Sequence, residues 1–191
     1  MNPEIGCVIL AAGESRRLGR PKALIEVDGV SLISWIFSRL SRLGISPIVV
    51  TREELVEEIR DSIGEVEVIV NETPELGRTG SVKKGLRYLK ERVDGEIKIL
   101  IVPVDRPGFS ISTIESLVSC ESSSCPAKGG RGGHPLIVDD RDIKRILNAP
   151  SDVPLNNIIN PNRIVVQDPY LHLNIDTQED VDEFLMVAGF L

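Results

Sequence analysis

The chain is short of several things, and each shortage closes off a class of function. It has no apolar run near the roughly 20 residues that a membrane span requires. It has no surplus of positive charge: 22 Lys and Arg stand against 29 Asp and Glu, a formal net charge of −7. A field of that sign repels polyanions, which argues against a coat for nucleic acid or an anionic membrane surface. Only three cysteines are present, Cys7, Cys120 and Cys125. They cannot all pair with one another, which fits a reducing cytoplasmic setting. Cys120, Cys125 and His134 lack the tight pairs and fourth ligand of a structural zinc site, and are read as core or loop residues. The opening "MNPEIGCVIL" has no basic n-region, so no signal peptide is expected.

What is present is an alternation of short apolar runs with amphipathic ones. Strands are expected at 5–10, 46–50, 66–70 and 97–105, and helices at 32–44, 52–64 and 80–93. In 32–44 the apolar residues fall at 32, 33, 36, 37, 40 and 43, a helical stripe that Gly44 closes, with Trp35 placed in the core. This order predicts an α/β fold: a mostly parallel sheet with helices on both faces, three layers in all. Beyond 105 the rhythm loosens. Helices are expected at 112–119, 139–147 and 153–160, strands at 135–138 and 162–168, and the Ser/Gly-rich 122–135 as a turn region or a loop over a site. Thr177 and Asp180 form a capping box that opens a last helix, 177–189. No linker separates a second domain, so residues 1–191 are taken as one domain.

The stretch "LAAGESRRLGRPKAL" (10–24) holds the chemistry. It leaves the first strand through Ala11, Ala12 and Gly13, small enough to admit a ligand to the backbone, whose N–H groups can cradle phosphate. Arg16, Arg17, Arg20 and Lys22 add charge, and Pro21 restricts the chain just before Lys22. Neither common phosphate motif is present. There is no G-x-G-x-x-G, which disfavours a nicotinamide-dependent dehydrogenase, and Lys22 is followed by Ala23 rather than a magnesium-binding Ser or Thr. Asp105 follows the apolar "IKILIVPV", at the strand end where open α/β sheets bind ligands; it is a candidate metal ligand or a turn aspartate. Asp176 closes the strand-like run "LHLNID" (171–176) and precedes a helix start, where capping is the competing explanation. His134 is either an acceptor-phosphate contact or a solvated loop residue, and His172 is read as structural. Arg78, Lys83, Lys84 and Arg87 form a basic cluster that a solvated helix face would also explain.

The 10–22 stretch resembles the signature L-A-A-G-x-S-x-R-[ML]-G-x-[PD]-K of MobA-like nucleotidyltransferases, which include the molybdopterin cytidylyl- and guanylyltransferases. Other segments follow in the family's order: "NETPELGRTGSVKKGL" (71–86), "PVDRPG" (103–108), "GGHPLIV" (132–138) and "LNIDTQEDVDEF" (173–184). The resemblance implies a Rossmann-like sheet of the nucleotide-diphospho-sugar transferase (GT-A-like) kind. It implies transfer of a nucleoside monophosphate from a triphosphate to a phosphorylated acceptor, with Mg²⁺ and without nucleic acid. Leu10, Ala11, Ala12, Gly13, Glu14 and Ser15, with Asn71 and Ser81, would line the nucleotide. Arg17 and Lys22 would hold its phosphates, Asp105 and Asp176 the metal, and His134 the acceptor. "LAAG" with "RPK" is nearer the cytidylyl branch, so CTP is the expected nucleotide and molybdopterin the acceptor. A guanylyltransferase and a sugar- or alditol-phosphate nucleotidyltransferase are the alternatives. A nucleotide-binding regulatory protein without catalysis is a third, disfavoured by the joint presence of Lys22, Asp105 and Asp176. The chain departs from the family where "GRTGS" replaces G-M-S-S-S: Arg78 stands in place of an apolar residue and Gly80 in place of serine.

Overall fold

The structure is a computed structural model that describes residues 4–15 and 17–191, so Arg16 of the basic stretch and the first three residues of the opening segment lie outside the described residues. Strand β1 (Glu4–Leu10) runs through the middle of the sheet between β4 (Pro47–Thr51) and β6 (Ile97–Pro103), parallel to both. A short hairpin, β2 (Glu26–Val27) with β3 (Val30–Ser31), stands apart from this sheet. Strand β5 (Val68–Val70) extends the sheet on one side. On the other side come β9 (Leu136–Val138), β7 (Ser124–Lys128) and β10 (Asn162–Val165), with β8 (Arg131–Gly132) paired to β7.

β1, β4 and β6 are buried along most of their length because helices cover both faces, and their sequences are correspondingly apolar apart from Glu4, Thr51 and Lys98. Side chains alternate between the two cores, as the pleat requires. Cys7, Ile9, Val49, Leu100 and Val102 face helices α1 (Leu32–Ser41), α2 (Val56–Ile63), α4 (Ile111–Val118) and α7 (Gln178–Val187). Val8, Leu10, Ile48, Val50, Ile99 and Ile101 face α3 (Arg78–Lys90) and α5 (Asp140–Asn148). Helix α6 (Leu155–Ile158) is a single turn beside α5. Trp35 packs edge-on against Phe184, with ring centroids 5.3 Å apart, as its place on the apolar stripe predicts. Among the described residues no helix is long and apolar enough to cross a membrane.

Two expectations are corrected. Half of the Ser/Gly-rich 122–135 is strand, β7 and β8, and Ser124–Ala127 are buried. Ser and Pro are weak strand formers, but here the backbone pairs with β9 and β10 and the small side chains fit beneath α4. The run "LHLNID" (171–176) is not a strand; it crosses the mouth of the sheet as irregular chain. The sheet is mostly parallel, as expected; β9 runs antiparallel to β6 and β7, and β8 antiparallel to β7.

Packing of α3 on β1 leaves no room at Gly85. A Cβ there would lie 2.6 Å from Val8 Cγ1 and 3.2 Å from Val50 Cγ2. Gly85→Ala is expected to destabilise the protein by about 1–3 kcal/mol, the usual cost of overpacking, and Val8→Ala in the same chain should recover part of it. Urea denaturation of the two variants checks this; an unchanged midpoint for Gly85→Ala would contradict the packing.

Candidate active site

Because β1, β4 and β6 are parallel, the loops that follow them gather at one edge of the sheet, where α/β folds bind ligands. A cleft of about 240 Å³ opens there. Its floor is the turn out of β1: Leu10, Ala11, Ala12, Gly13 and Ser15 line it together with Lys22. The backbone of Ala11 is already engaged, its N–H on Val50 O (2.8 Å) and its carbonyl on Thr51 Oγ1 (3.2 Å). This ties the turn to β4 and leaves the cradle to the amides that follow. Ser15 adopts a left-handed conformation (φ 53°), and its hydroxyl accepts from the Lys22 amide at 3.2 Å. Ser15 therefore fixes where the Lys22 side chain begins.

The Lys22 ammonium lies 2.6 Å from Asp176 Oδ1 and 3.6 Å from Asp105 Oδ2. The two carboxylate oxygens can be no further apart than those distances laid end to end. Arg17 donates to Asp176 Oδ2 at 2.8 Å, and Arg78 Nη2 lies 3.5 Å from Asp105 Oδ2. Three cations thus share two carboxylates. Lys22 and Asp105 are mostly withdrawn from solvent, with side chains 13 % and 18 % exposed, whereas Arg17 is 70 % exposed. Burial would raise the pKa of Asp176. The hydrogen bond and charge of Lys22, followed by Arg17 and Asn174, outweigh it, and the carboxyl is held below its usual value.

Asp176 reaches this place through a close fit. A Cβ on Gly108 would fall 1.9 Å from the Tyr170 carbonyl oxygen, so only glycine lets the 168–176 segment lie against the exit of β6. Ile175 N then donates to Asp105 O at 2.9 Å, and buried Asp168 accepts from Ser110 N and Thr113 Oγ1. Capping of α7 does not occupy Asp176: Thr177 and Asp180 form the capping box, as expected from their spacing.

The remaining candidates are distributed as follows. Ser81 lines the cleft, and Asn71 lies buried behind it, donating to Ser81 Oγ at 2.9 Å. Glu14 and Arg17 border another cavity beside the main cleft, shared with Ser15, Lys22 and Asp176. His134 enters β9, and the antiparallel run of that strand brings it to the same edge as Asp105. It lines a second cavity, of about 520 Å³, that meets the first at Gly77 and Arg78. Sequence reasoning did not place Leu55, Pro74, Gly77, Arg78, Pro103 or Val104 in the lining. Arg78 had given a signal by its departure from the family pattern, and Pro74, Gly77, Pro103 and Val104 lie in the segments that resemble the family's. His172 bonds through Nε2 to the Lys128 carbonyl, in keeping with a structural role. Cys125 is buried in β7, Cys120 Sγ contacts Ser116 O, and among the described residues no three His, Cys, Asp or Glu cluster as metal ligands. The donor set where the main cleft meets the cavity beside it is therefore a pair of carboxylates, Asp105 from the first and Asp176 from the second, both on Lys22. It suits a hard divalent ion that takes its other oxygens from phosphate and water rather than from the protein.

The model of the MobA-like NTP transferase domain matches residues 7–166, and the chain belongs to that family. A probable molybdenum cofactor guanylyltransferase of Bacillus licheniformis is 25 % identical over 190 residues, covering 92 % of this chain and 94 % of the relative. The Bifunctional protein GlmU of Acetivibrio thermocellus is 28 % identical over 114 residues, 59 % of this chain; the match spans only 24 % of that relative's length. Among solved structures, Rv0371c from Mycobacterium tuberculosis H37Rv superposes with a TM-score of 0.78 at 19 % identity, over 97 % of this chain and 100 % of that one. The same protein in complex with manganese gives 0.75 at 18 % identity, over 96 % and 98 %. These likenesses establish the mostly parallel, Rossmann-like α/β fold.

One consequence of the site is open to titration. Burial, then the charges of Arg78 and Arg106, lower the His134 pKa from 6.5 to about 4, against a smaller opposing effect of Asp105. The unfolded chain then binds more protons than the folded one between those values, so stability is full above pH 6.5 and falls as the pH drops towards 4. The loss at pH 4 is expected to be about 3 kcal/mol. Denaturation curves from pH 4 to 7 for the wild type and His134→Gln should differ by this amount at the acid end only; parallel curves would contradict it.

Proposed function

We propose that residues 1–191 act as a single cytoplasmic nucleotidyltransferase domain that moves a nucleoside monophosphate from a triphosphate to a small phosphorylated acceptor. The reading rests on one observation, the convergence of the 10–22 loop, Asp105 and Asp176 on the Lys22 ammonium at the carboxyl edge of the sheet. Triphosphate fits the cleft as an anion fits a patch of shared cations, inside a chain whose overall charge is negative. In the reaction an acceptor phosphate oxygen attacks the α-phosphorus. One P–O bond forms, the bond from the α-phosphorus to the bridging oxygen breaks, and the electron pair departs with pyrophosphate. The acceptor is already anionic near neutral pH, so no general base is required. The protein's part is alignment and charge neutralisation. Lys22 and Arg17 hold the departing pyrophosphate, Ala12, Gly13 and Ser81 shape the nucleotide's bed, and Asp105 with Asp176 would hold a divalent ion, Mg²⁺ in the cell. When bound, that ion supplies charge to the phosphate oxygens as negative charge builds on the leaving group. Manganese in the Rv0371c complex supports a divalent ion in this fold.

For the finer specificity we propose CTP as donor and molybdopterin as acceptor, supported by "LAAG" and "RPK" in the 10–22 stretch. GTP is the second reading, favoured by the Bacillus licheniformis relative, which matches along nearly its whole length. A pyrophosphate-release assay of the four triphosphates with molybdopterin separates them. A hydrogen-bonding base pocket discriminates strongly, so the preferred base should stand out by about tenfold or more; faster release from GTP than from CTP selects the second reading. In the same assay Lys22→Ala should lose about 2–4 kcal/mol of transition-state stabilisation, the usual worth of one preorganised charge. Unchanged turnover at saturating nucleotide and magnesium would contradict the role of Lys22.

A further inference from the structure

Arg78 is one of the residues at which this chain departs from its family's pattern, and it occupies the junction of the two cavities. It lines both, whereas Lys22 lines the first and not the second. Its guanidinium and the Lys22 ammonium approach the same oxygen, Asp105 Oδ2, at 3.5 and 3.6 Å. One cation comes from the loop after β1 and the other from the start of α3. Arg78 keeps 43 % of its side chain exposed, and its contact with Asp105 is long, so most of its five donors remain uncommitted. The helix gains nothing from it. Arg78 is the first residue of α3, which has no acidic residue in its first turn and no side-chain cap, and a cation there opposes the helix dipole. The second cavity differs in character from the first: buried Cys125, Leu136 and Ile159 and the half-buried Leu155 form its apolar wall, beside the His134 imidazole.

We propose that Arg78 is the acceptor-phosphate ligand of this protein: it grips a phosphomonoester at the junction, with the body of the ester in the second cavity. The assignment rests on the nucleotidyltransferase reading above. It gives the site two cationic posts on either contact of Asp105, Lys22 for the departing pyrophosphate and Arg78 for the incoming phosphate, as an in-line displacement requires. A planar guanidinium can hold two phosphate oxygens and leave the third to attack.

Calorimetric titration of the full chain, loaded with Mg²⁺ and a non-hydrolysable α,β-methylene triphosphate (cytidine or guanosine), tests the assignment with phenyl phosphate and inorganic phosphate as probes. Phenyl phosphate should bind the wild type, and more tightly than inorganic phosphate. Arg78→Met should weaken phenyl phosphate by about tenfold or more, as expected for loss of a bidentate charged contact, and Arg78→Lys should recover part of it. Triphosphate affinity should change less than about threefold, and the melting temperature of Arg78→Met should not fall, because the helix loses an unfavourable charge. Phenyl phosphate binding that is absent in the wild type or indifferent to residue 78 overturns the assignment, as does a parallel loss of triphosphate affinity, which would make Arg78 a nucleotide ligand. Failure of the wild type to take up any triphosphate overturns the nucleotidyltransferase reading itself, and the assignment with it.

Discussion

A single ammonium group organises the edge of this sheet. Lys22 stands between Asp176 and Asp105, and each of the three arrives from a different part of the chain: the loop after β1, the exit of β6, and the irregular segment before α7. Two carboxylates this close would repel each other with nothing between them. The lysine relieves that repulsion, and the depressed pKa of Asp176 records the balance, burial opposing and Lys22 prevailing. A site of this kind is held ready rather than relaxed. In the proposed reaction a divalent ion and a phosphate chain would take over these three side chains: the carboxylates would hold the dication, and the ammonium the phosphate.

The backbone enforces this arrangement. Ser15 sets the start of the lysine side chain, Gly108 lets the 168–176 segment pass close to the β6 exit, and the Ile175 amide fastens that segment to the Asp105 carbonyl. The strand that reverses direction, β9, carries His134 to the same edge and so opens the second cavity beside the first. Family membership and this architecture agree: the matched region, residues 7–166, contains the loop, α3, Asp105 and His134, while Asp176 lies beyond it and is joined to the site by tertiary contacts.

Much of this was legible in the sequence, for a physical reason. Buried strands β1, β4 and β6 are apolar along most of their length, and α1 shows its stripe, because both respond to a core that covers them on fixed faces. The turn after β1 announced itself through small residues and clustered charge. What escaped was set by tertiary contact. β7 is written in Ser, Cys, Pro, Ala and Lys, and becomes a strand because neighbours pair with it. The "LHLNID" run alternates like a strand but has no free edge to join, since it is spent crossing the site. The direction of β9 leaves no trace in three apolar residues. Asn71 lies behind Ser81 rather than in the cleft, a distinction between lining and support that spacing does not carry.

The central claim is that Lys22, Asp105 and Asp176 form one charge-balanced site that exchanges an internal cation for an external one when triphosphate enters. Electron paramagnetic resonance of Mn²⁺ added to the chain, with and without a non-hydrolysable triphosphate, measures that exchange directly. The account predicts weak Mn²⁺ binding by the nucleotide-free protein, one tightly bound ion per chain with triphosphate, and tighter binding by the nucleotide-free Lys22→Met variant than by the wild type. Tight binding of Mn²⁺ to the nucleotide-free wild type, indifferent to triphosphate and to residue 22, would contradict it.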